Sequence, residues 1–121
     1  MVEDPGIAIL RQADPRSTVI ALATAHLRSS HSKRAYRQAV VEFMDWCACT
    51  GTTKLTKTTV QDYMGELNHL RMSPATVNLA LCAIRRVASE LADGGLMSTE
   101  SAARILRIKG PRRKGVRLAI G

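Results

Sequence analysis

The sequence predicts an all-α domain, a compact orthogonal bundle of four or five helices. Ala, Leu, Arg and Met, all strong helix formers, dominate the composition. Val, Ile and Thr do not fall into the alternating runs that a half-buried strand requires. Apolar residues instead recur at three- and four-residue spacing in segments that open on Ser, Thr or Pro. With 121 residues, 45 % of them apolar, the chain is long enough to bury a core and too apolar for a disordered tail.

Residues 1–14 hold Glu3, Asp4 and Asp14 with Pro5 and Gly6, and read as a flexible acidic leader. The helical domain is expected over residues 15–108. Pro15 suits the first turn of a helix running to about Leu27, with Val19, Ile20, Leu22, Ala23 and Leu27 on a partial apolar face. A second helix, capped by Ser30 or Ser32 and ended by Thr50-Gly51, carries Tyr36, Ala39, Val40, Phe43, Trp46 and Cys47 in one stripe. Lys33, Arg34, Arg37 and Gln38 lie around the rest of its circumference. Thr56 caps a third helix to about Leu70, whose stripe is Val60, Tyr63, Met64, Leu67 and Leu70. Ser73 as cap and Pro74 at the first helical position open a fourth, closed by Asp93-Gly94-Gly95. Its stripe is Val77, Ala80, Leu81, Ile84, Val87, Ala88 and Leu91, and its other side carries Asn78, Leu79, Cys82, Arg85 and Arg86. A short fifth helix follows Ser98 and reaches about Arg107. Residues 109–121 open with Lys-Gly-Pro-Arg-Arg-Lys-Gly, the chemistry of a basic linker.

The net charge is +8, and its distribution matters more than its size. Beyond residue 95, Arg104, Arg107, Lys109, Arg112, Arg113, Lys114 and Arg117 face Glu100 alone. A basic segment on a basic domain points to a polyanionic partner. The start is acidic and the longest apolar stretch, Val19 to Ala25, is too short to span a bilayer, so neither a signal peptide nor a membrane contact is expected. Cys47, Cys49 and Cys82, an odd number without a secretory signal, fit reduced thiols in a cytoplasmic protein.

Chemistry finds little support. Cys47 and Cys49, two apart at a helix end, point about 200° apart around the axis, which chelates poorly. His26, His31 and His69 are scattered, so no metal or other cofactor is expected. There is no Gly-x-Ser-x-Gly, no phosphate-cradling glycine loop and no paired carboxylates in an apolar setting. Tyr36 and Tyr63 both fall on apolar stripes and read as core tyrosines. This chain by itself is not expected to be an enzyme.

The basic helix faces remain. Ser32 and Ser73 would place hydroxyls and free amides at helix N-termini, where phosphate binds. Arg34 and Gln38 lie one turn apart on one face and are side chains able to read base edges. Leu79, Cys82 and Arg86 form an outward line suited to a thymine methyl or to a protein interface.

Several of these segments together resemble a known family. Ser30-x-Ser32-x-x-Ala35-Tyr36 followed by Phe43-x-x-Trp46-Cys47 is similar to the opening helix of the core-binding domain of tyrosine recombinases, the phage integrase superfamily. Leu55-Thr56 with Val60, Tyr63 and Leu67 resembles its next helix, and Ser73-x-x-Thr76-Val77-Asn78 leading to Ile84-Arg85 its fourth. The Lys109-Gly-Pro-Arg-Arg tail resembles the linker into the catalytic domain. Ser32 departs mildly, since the family more often shows Thr there.

The resemblance implies a SAM-like fold and a part in DNA integration and recombination on a bacterial, phage or mobile element. Residues 32–38 and 73–86 would face adjacent major grooves as half of a clamp on double-stranded DNA. His31, Ser32, Lys33, Arg34, Arg37 and Gln38 would contact the duplex from one helix, and Ser73, Thr76, Asn78, Arg85 and Arg86 from another. Lys109, Arg112, Arg113 and Lys114 would follow phosphates in the linker. The family's Arg, Lys, His-x-x-Arg and Tyr constellation belongs to a catalytic domain expected beyond Gly121. No catalytic role therefore transfers to this chain, whose partners would be DNA, that catalytic domain and other recombinase subunits. The isolated domain is expected to be monomeric. Two competing readings are a free-standing helix-turn-helix regulator and a helical protein-interaction module.

Overall fold

A hydroxyl marks the start of four of the five helices, and in each case the side chain accepts a backbone N–H of the first turn. The structure, a computed structural model, describes residues 15–111, with side chains from Val19 onward. The expected acidic leader and the linker beyond Pro111 lie outside the described residues. Five helices and no strand occur among those described: α1 (Pro15–Thr24), α2 (Ser30–Thr50), α3 (Lys57–His69), α4 (Pro74–Asp93) and α5 (Thr99–Leu106).

Two boundaries differ from the sequence reading. α1 ends at Thr24 rather than near Leu27; the Thr24 hydroxyl donates to the Ile20 carbonyl, and Leu27 N–H closes a turn onto Thr24. The cap of α2 is Ser29, not Ser30 or Ser32. Ser29 keeps extended backbone (φ −74°, ψ 133°) and its Oγ accepts Ser32 N–H at 3.4 Å, which places Ser32 inside the first turn.

Three helices end in the same way. After α2 the Thr52 N–H reaches back to Cys47 O, after α3 Met72 to Leu67, and after α4 Leu96 to Leu91. This Schellman closure needs one left-handed residue. Gly51 (φ 72°) and Gly95 (φ 75°) supply it without strain, whereas α3 uses Arg71 at φ 59°. For a residue with a Cβ that conformation costs on the order of 1–2 kcal/mol.

α4 is the axis of the domain and packs against all four other helices. Its period places Val77, Ala80, Leu81, Ala83, Ile84, Val87, Ala88 and Leu91 on the buried side. Val19 and Ala23 of α1 and Ala39, Val40, Phe43, Met44 and Cys47 of α2 close over it. From α3 come Val60, Tyr63, Met64 and Leu67, and from α5 Ala102 and Ile105. Leu55 and Met97, each just before a cap, are also buried, with Val60 and Ala102 at the matching positions of a hydrophobic staple. Met44 joins the α2 stripe where the sequence reading had Tyr36 and Trp46, which are only half-buried. Leu70, expected in the α3 stripe, is 56 % exposed because it follows the helix as its C-cap. The Tyr63 ring meets Phe43 edge-on with centroids 5.0 Å apart and Trp46 at a tilt at 5.3 Å, joining α3 to α2.

Candidate nucleic-acid interface

A helix that buries one side on four neighbours must show the other, and on α4 that side carries Asn78, Cys82, Arg85, Arg86 and Ser89. Tyr36 of α2 and Leu106 of α5 rise on its flanks. Together Tyr36, Cys82, Arg85, Arg86, Ser89 and Leu106 line an open cleft of about 260 Å³. Cys82 is exposed within it, and the two arginines are half-buried. The Nε of Arg85 is shielded from solvent and has no hydrogen-bond partner. A buried guanidinium N–H without an acceptor carries a desolvation cost. Arg86 Nη1 pairs with Glu90 Oε2 at 3.4 Å, one turn along, both side chains partly exposed. Such a pair contributes a few tenths of a kcal/mol and does not prevent the arginine from engaging a phosphate.

A second cleft, of about 640 Å³, opens between α1 and the first half of α2. Ile20, Ala21 and Thr24 form one wall; Ser30, Lys33, Arg34 and Arg37 form the other. The three cations are exposed, and none forms an ion pair with a described residue. The two clefts therefore flank the same stretch of α2, with Tyr36 lining one and its neighbours Lys33 and Arg37 the other. The imidazole of His26 meets the Tyr36 ring edge-on at 5.9 Å and braces it from the loop after α1.

The remaining sequence-predicted residues divide. His31 and Ser32 stand in the first turn of α2, but Ser32 N–H is taken by the Ser29 cap. Ser73 Oγ accepts Thr76 N–H at 3.2 Å and donates to Thr76 Oγ1 at 3.0 Å, so both hydroxyls are engaged in capping. Gln38 Nε2 donates to Glu42 Oε2 at 2.9 Å. Asn78 Nδ2 donates to the carbonyl of Pro111 at 3.1 Å. Lys109 is exposed, and Arg112, Arg113 and Lys114 lie outside the described residues.

The outward line Leu79–Cys82–Arg86 does not hold together. Leu79 is half-buried, packs on the core and lines an apolar groove with Leu67 and Met72, while Cys82 and Arg86 face the arginine cleft. Sequence reasoning also missed Ser89 and the α1 wall. The helical period of α4 puts Ser89 one turn beyond Arg85, but no local signal shows α1 lying beside Lys33.

Among the described residues no group of three or more His, Cys, Asp or Glu could hold a metal ion. Burial pushes the Cys47 thiol up to about 11. Burial, with the charges of Glu42, Cys47 and Asp45 adding to it, pushes the Tyr63 phenol up to about 12. Both groups therefore stay protonated at neutral pH. No described helix is long and apolar enough to cross a membrane.

The fold and this surface define a small helical bundle with a basic, cleft face. The family model for the phage integrase N-terminal SAM-like domain matches residues 10–106, and the chain belongs to that family. Comparison with curated proteins and with solved structures gave no match.

Proposed function

We propose that this chain is the DNA-gripping, core-binding domain of a site-specific tyrosine recombinase, acting in DNA integration or recombination as half of a clamp. The observation that carries the reading is the pair of clefts flanking the first half of α2, one holding Lys33, Arg34 and Arg37 and the other Arg85 and Arg86. Duplex DNA carries a charge every ~1.7 Å along its axis, and cations spread over two helices match it better than they match a compact anion. In this reading the half-buried Arg85 side chain, through the part of its guanidinium that the cleft leaves open, takes a backbone phosphate oxygen, with Tyr36 and Ser89 hydroxyls beside it. Arg34 and Arg37 follow the backbone from the α1–α2 cleft. His31 and Ser32 approach from the first turn of α2. The catalytic step, and contacts with a catalytic domain and other subunits, belong to the full recombinase, working in the cytoplasm on its element's DNA.

A helix-turn-helix regulator fits less well, because α3 and α4 run 13 and 20 residues. The apolar groove at Leu67, Met72 and Leu79 favours a protein partner as the second reading. Fluorescence anisotropy with a labelled duplex tests the first. Affinity should fall steeply with salt, and Arg34→Ala and Arg86→Ala should each reduce the log–log salt slope by about 1 while leaving the helical circular dichroism unchanged. Binding that ignores salt, or unchanged affinity in both variants, rejects the assigned face.

A further inference from the structure

The three helices that close with a reach-back N–H differ in one residue. α2 and α4 place Gly51 (φ 72°) and Gly95 (φ 75°) at the left-handed position, while α3 places Arg71 there at φ 59°. Among the described residues Arg71 is the sole one other than glycine with positive φ. Glycine would make the same turn without the clash that a Cβ meets there. Turn geometry alone would therefore be served better by glycine. The Arg71 side chain is exposed and forms no hydrogen bond or ion pair with a described residue, so its charge is not used inside the domain. A cation beside the C-terminus of α3 gains from the helix dipole, but at an exposed site it gains less than the left-handed backbone costs. Strain retained at a surface turn that carries a free charge points to a contact outside the chain.

Its place in the fold says which contact. Arg71 stands in the turn that joins α3 to α4, just ahead of Ser73, the cap of α4. Its neighbour Met72 is exposed and lines the apolar groove whose opposite wall is Ala35, Gln38 and Glu42 of α2. Arg34 precedes that wall in the sequence and lines the α1–α2 cleft on the far side of it. Cations thus stand beside both walls of one groove, on elements far apart in the chain. The single acid lining it, Glu42, accepts Gln38 Nε2. We propose that Arg71 is a further phosphate contact, engaging the DNA backbone from the α3–α4 turn while Lys33, Arg34 and Arg37 engage it from α2. The duplex then crosses the first turns of both α2 and α4, and the Arg71 guanidinium takes a phosphate through two parallel N–H donors. The repeated charges of a duplex suit cations spread in this way better than a compact anion does. The role assigned to Arg71 rests on the DNA reading above and extends it to a residue outside the two clefts.

The test is Arg71→Gly in the 121-residue chain, a variant that adopts the turn Gly51 and Gly95 already make. Its thermal midpoint should rise by a few degrees as the strain is relieved. Its affinity for a labelled duplex should fall several-fold, and its log–log salt slope should lessen by about 1. Arg71→Gln keeps the strain and loses the charge, so it should bind as weakly without the gain in midpoint. Arg71→Lys should bind close to the parent. Arg34→Ala, whose contact belongs to the DNA reading itself, is measured beside them. Weaker binding by Arg34→Ala with parental affinity and slope in Arg71→Gly overturns the role of Arg71 and leaves the DNA reading standing. Parental binding in both, or a parent that binds no duplex, overturns the DNA reading and this contact with it. A midpoint that falls in Arg71→Gly would mean that the arginine serves the fold, and overturns the contact. Poly-glutamate that displaces the duplex at equal charge concentration would assign Arg71 to an acidic protein partner, and overturns it as well.

Discussion

Neutralising Lys33, Arg34 and Arg37 together, as the triple alanine variant, should lower duplex affinity on the order of a hundredfold at 0.1 M salt. The estimate comes from counterion release. Each phosphate neutralised contributes about 0.9 to the log–log salt slope, so three lost contacts flatten it by close to 3. These three side chains face the open α1–α2 cleft rather than the core, and none is paired with a described carboxylate. Their removal therefore leaves no buried group unsatisfied, and the thermal midpoint should move little. The loss should also be uniform across duplex sequences, because phosphate contacts carry little base information. Anisotropy titrations at several salt concentrations read both quantities. A slope equal to that of the parent would place the DNA elsewhere on the domain.

Ile84→Ala should cost about 3–4 kcal/mol, a large share of the 5–15 kcal/mol that holds a typical domain together. Ile84 is 2 % exposed and meets Val19 of α1, Val40 and Phe43 of α2 and Leu55 around one narrow void, so its deletion enlarges a cavity shared by three elements. The neighbouring Arg85 belongs to the cleft, so the same turn of α4 carries both stability and the proposed function. Urea titration should show a lowered midpoint with an unchanged slope. A loss below 1 kcal/mol would mean that this junction can collapse onto the gap and that α4 is not the packing axis described above.

Much of this architecture was legible in the sequence, and the reasons are local. Thr56, Ser73-Pro74 and Ser98 each announce a helix start within a residue of where it occurs, because capping depends on one hydroxyl and the amides of the next turn. The α4 stripe was readable because the helix is long and packs on four neighbours, which leaves a single clean period; only Ala83 was not anticipated. The cap of α2 was harder, since Ser29, Ser30 and Ser32 offer competing hydroxyls and only the backbone angles choose Ser29. Arg71 carries no sign that it takes the left-handed position usually given to glycine.

The candidate surface was legible by residue and not by grouping. The period of α2 separates Lys33, Arg34 and Arg37 from the core, but nothing local shows that α1 supplies the facing wall. Leu79 read as outward because α4 was taken alone; Leu67 and Met72 lie beside it only once α3 is in place. Asn78 read as a group free for DNA because its partner is 33 residues away along the chain. Contacts of that range arise from tertiary packing, which no periodicity encodes.

The cysteines allow the most direct measurement of whether this face meets DNA. Cys82 is exposed in the arginine cleft, Cys49 is exposed near the far end of α2, and Cys47 is buried. Cys49 lies 13 residues beyond Tyr36, about 20 Å along the helix axis from the proposed contact. Alkylation by a maleimide, followed by peptide mass with and without saturating duplex, should show Cys82 protected at least tenfold while Cys49 reacts at its free rate. Equal rates at Cys82 with and without a bound duplex, or protection of Cys49 alone, would contradict the assignment of DNA to the α2–α4 face.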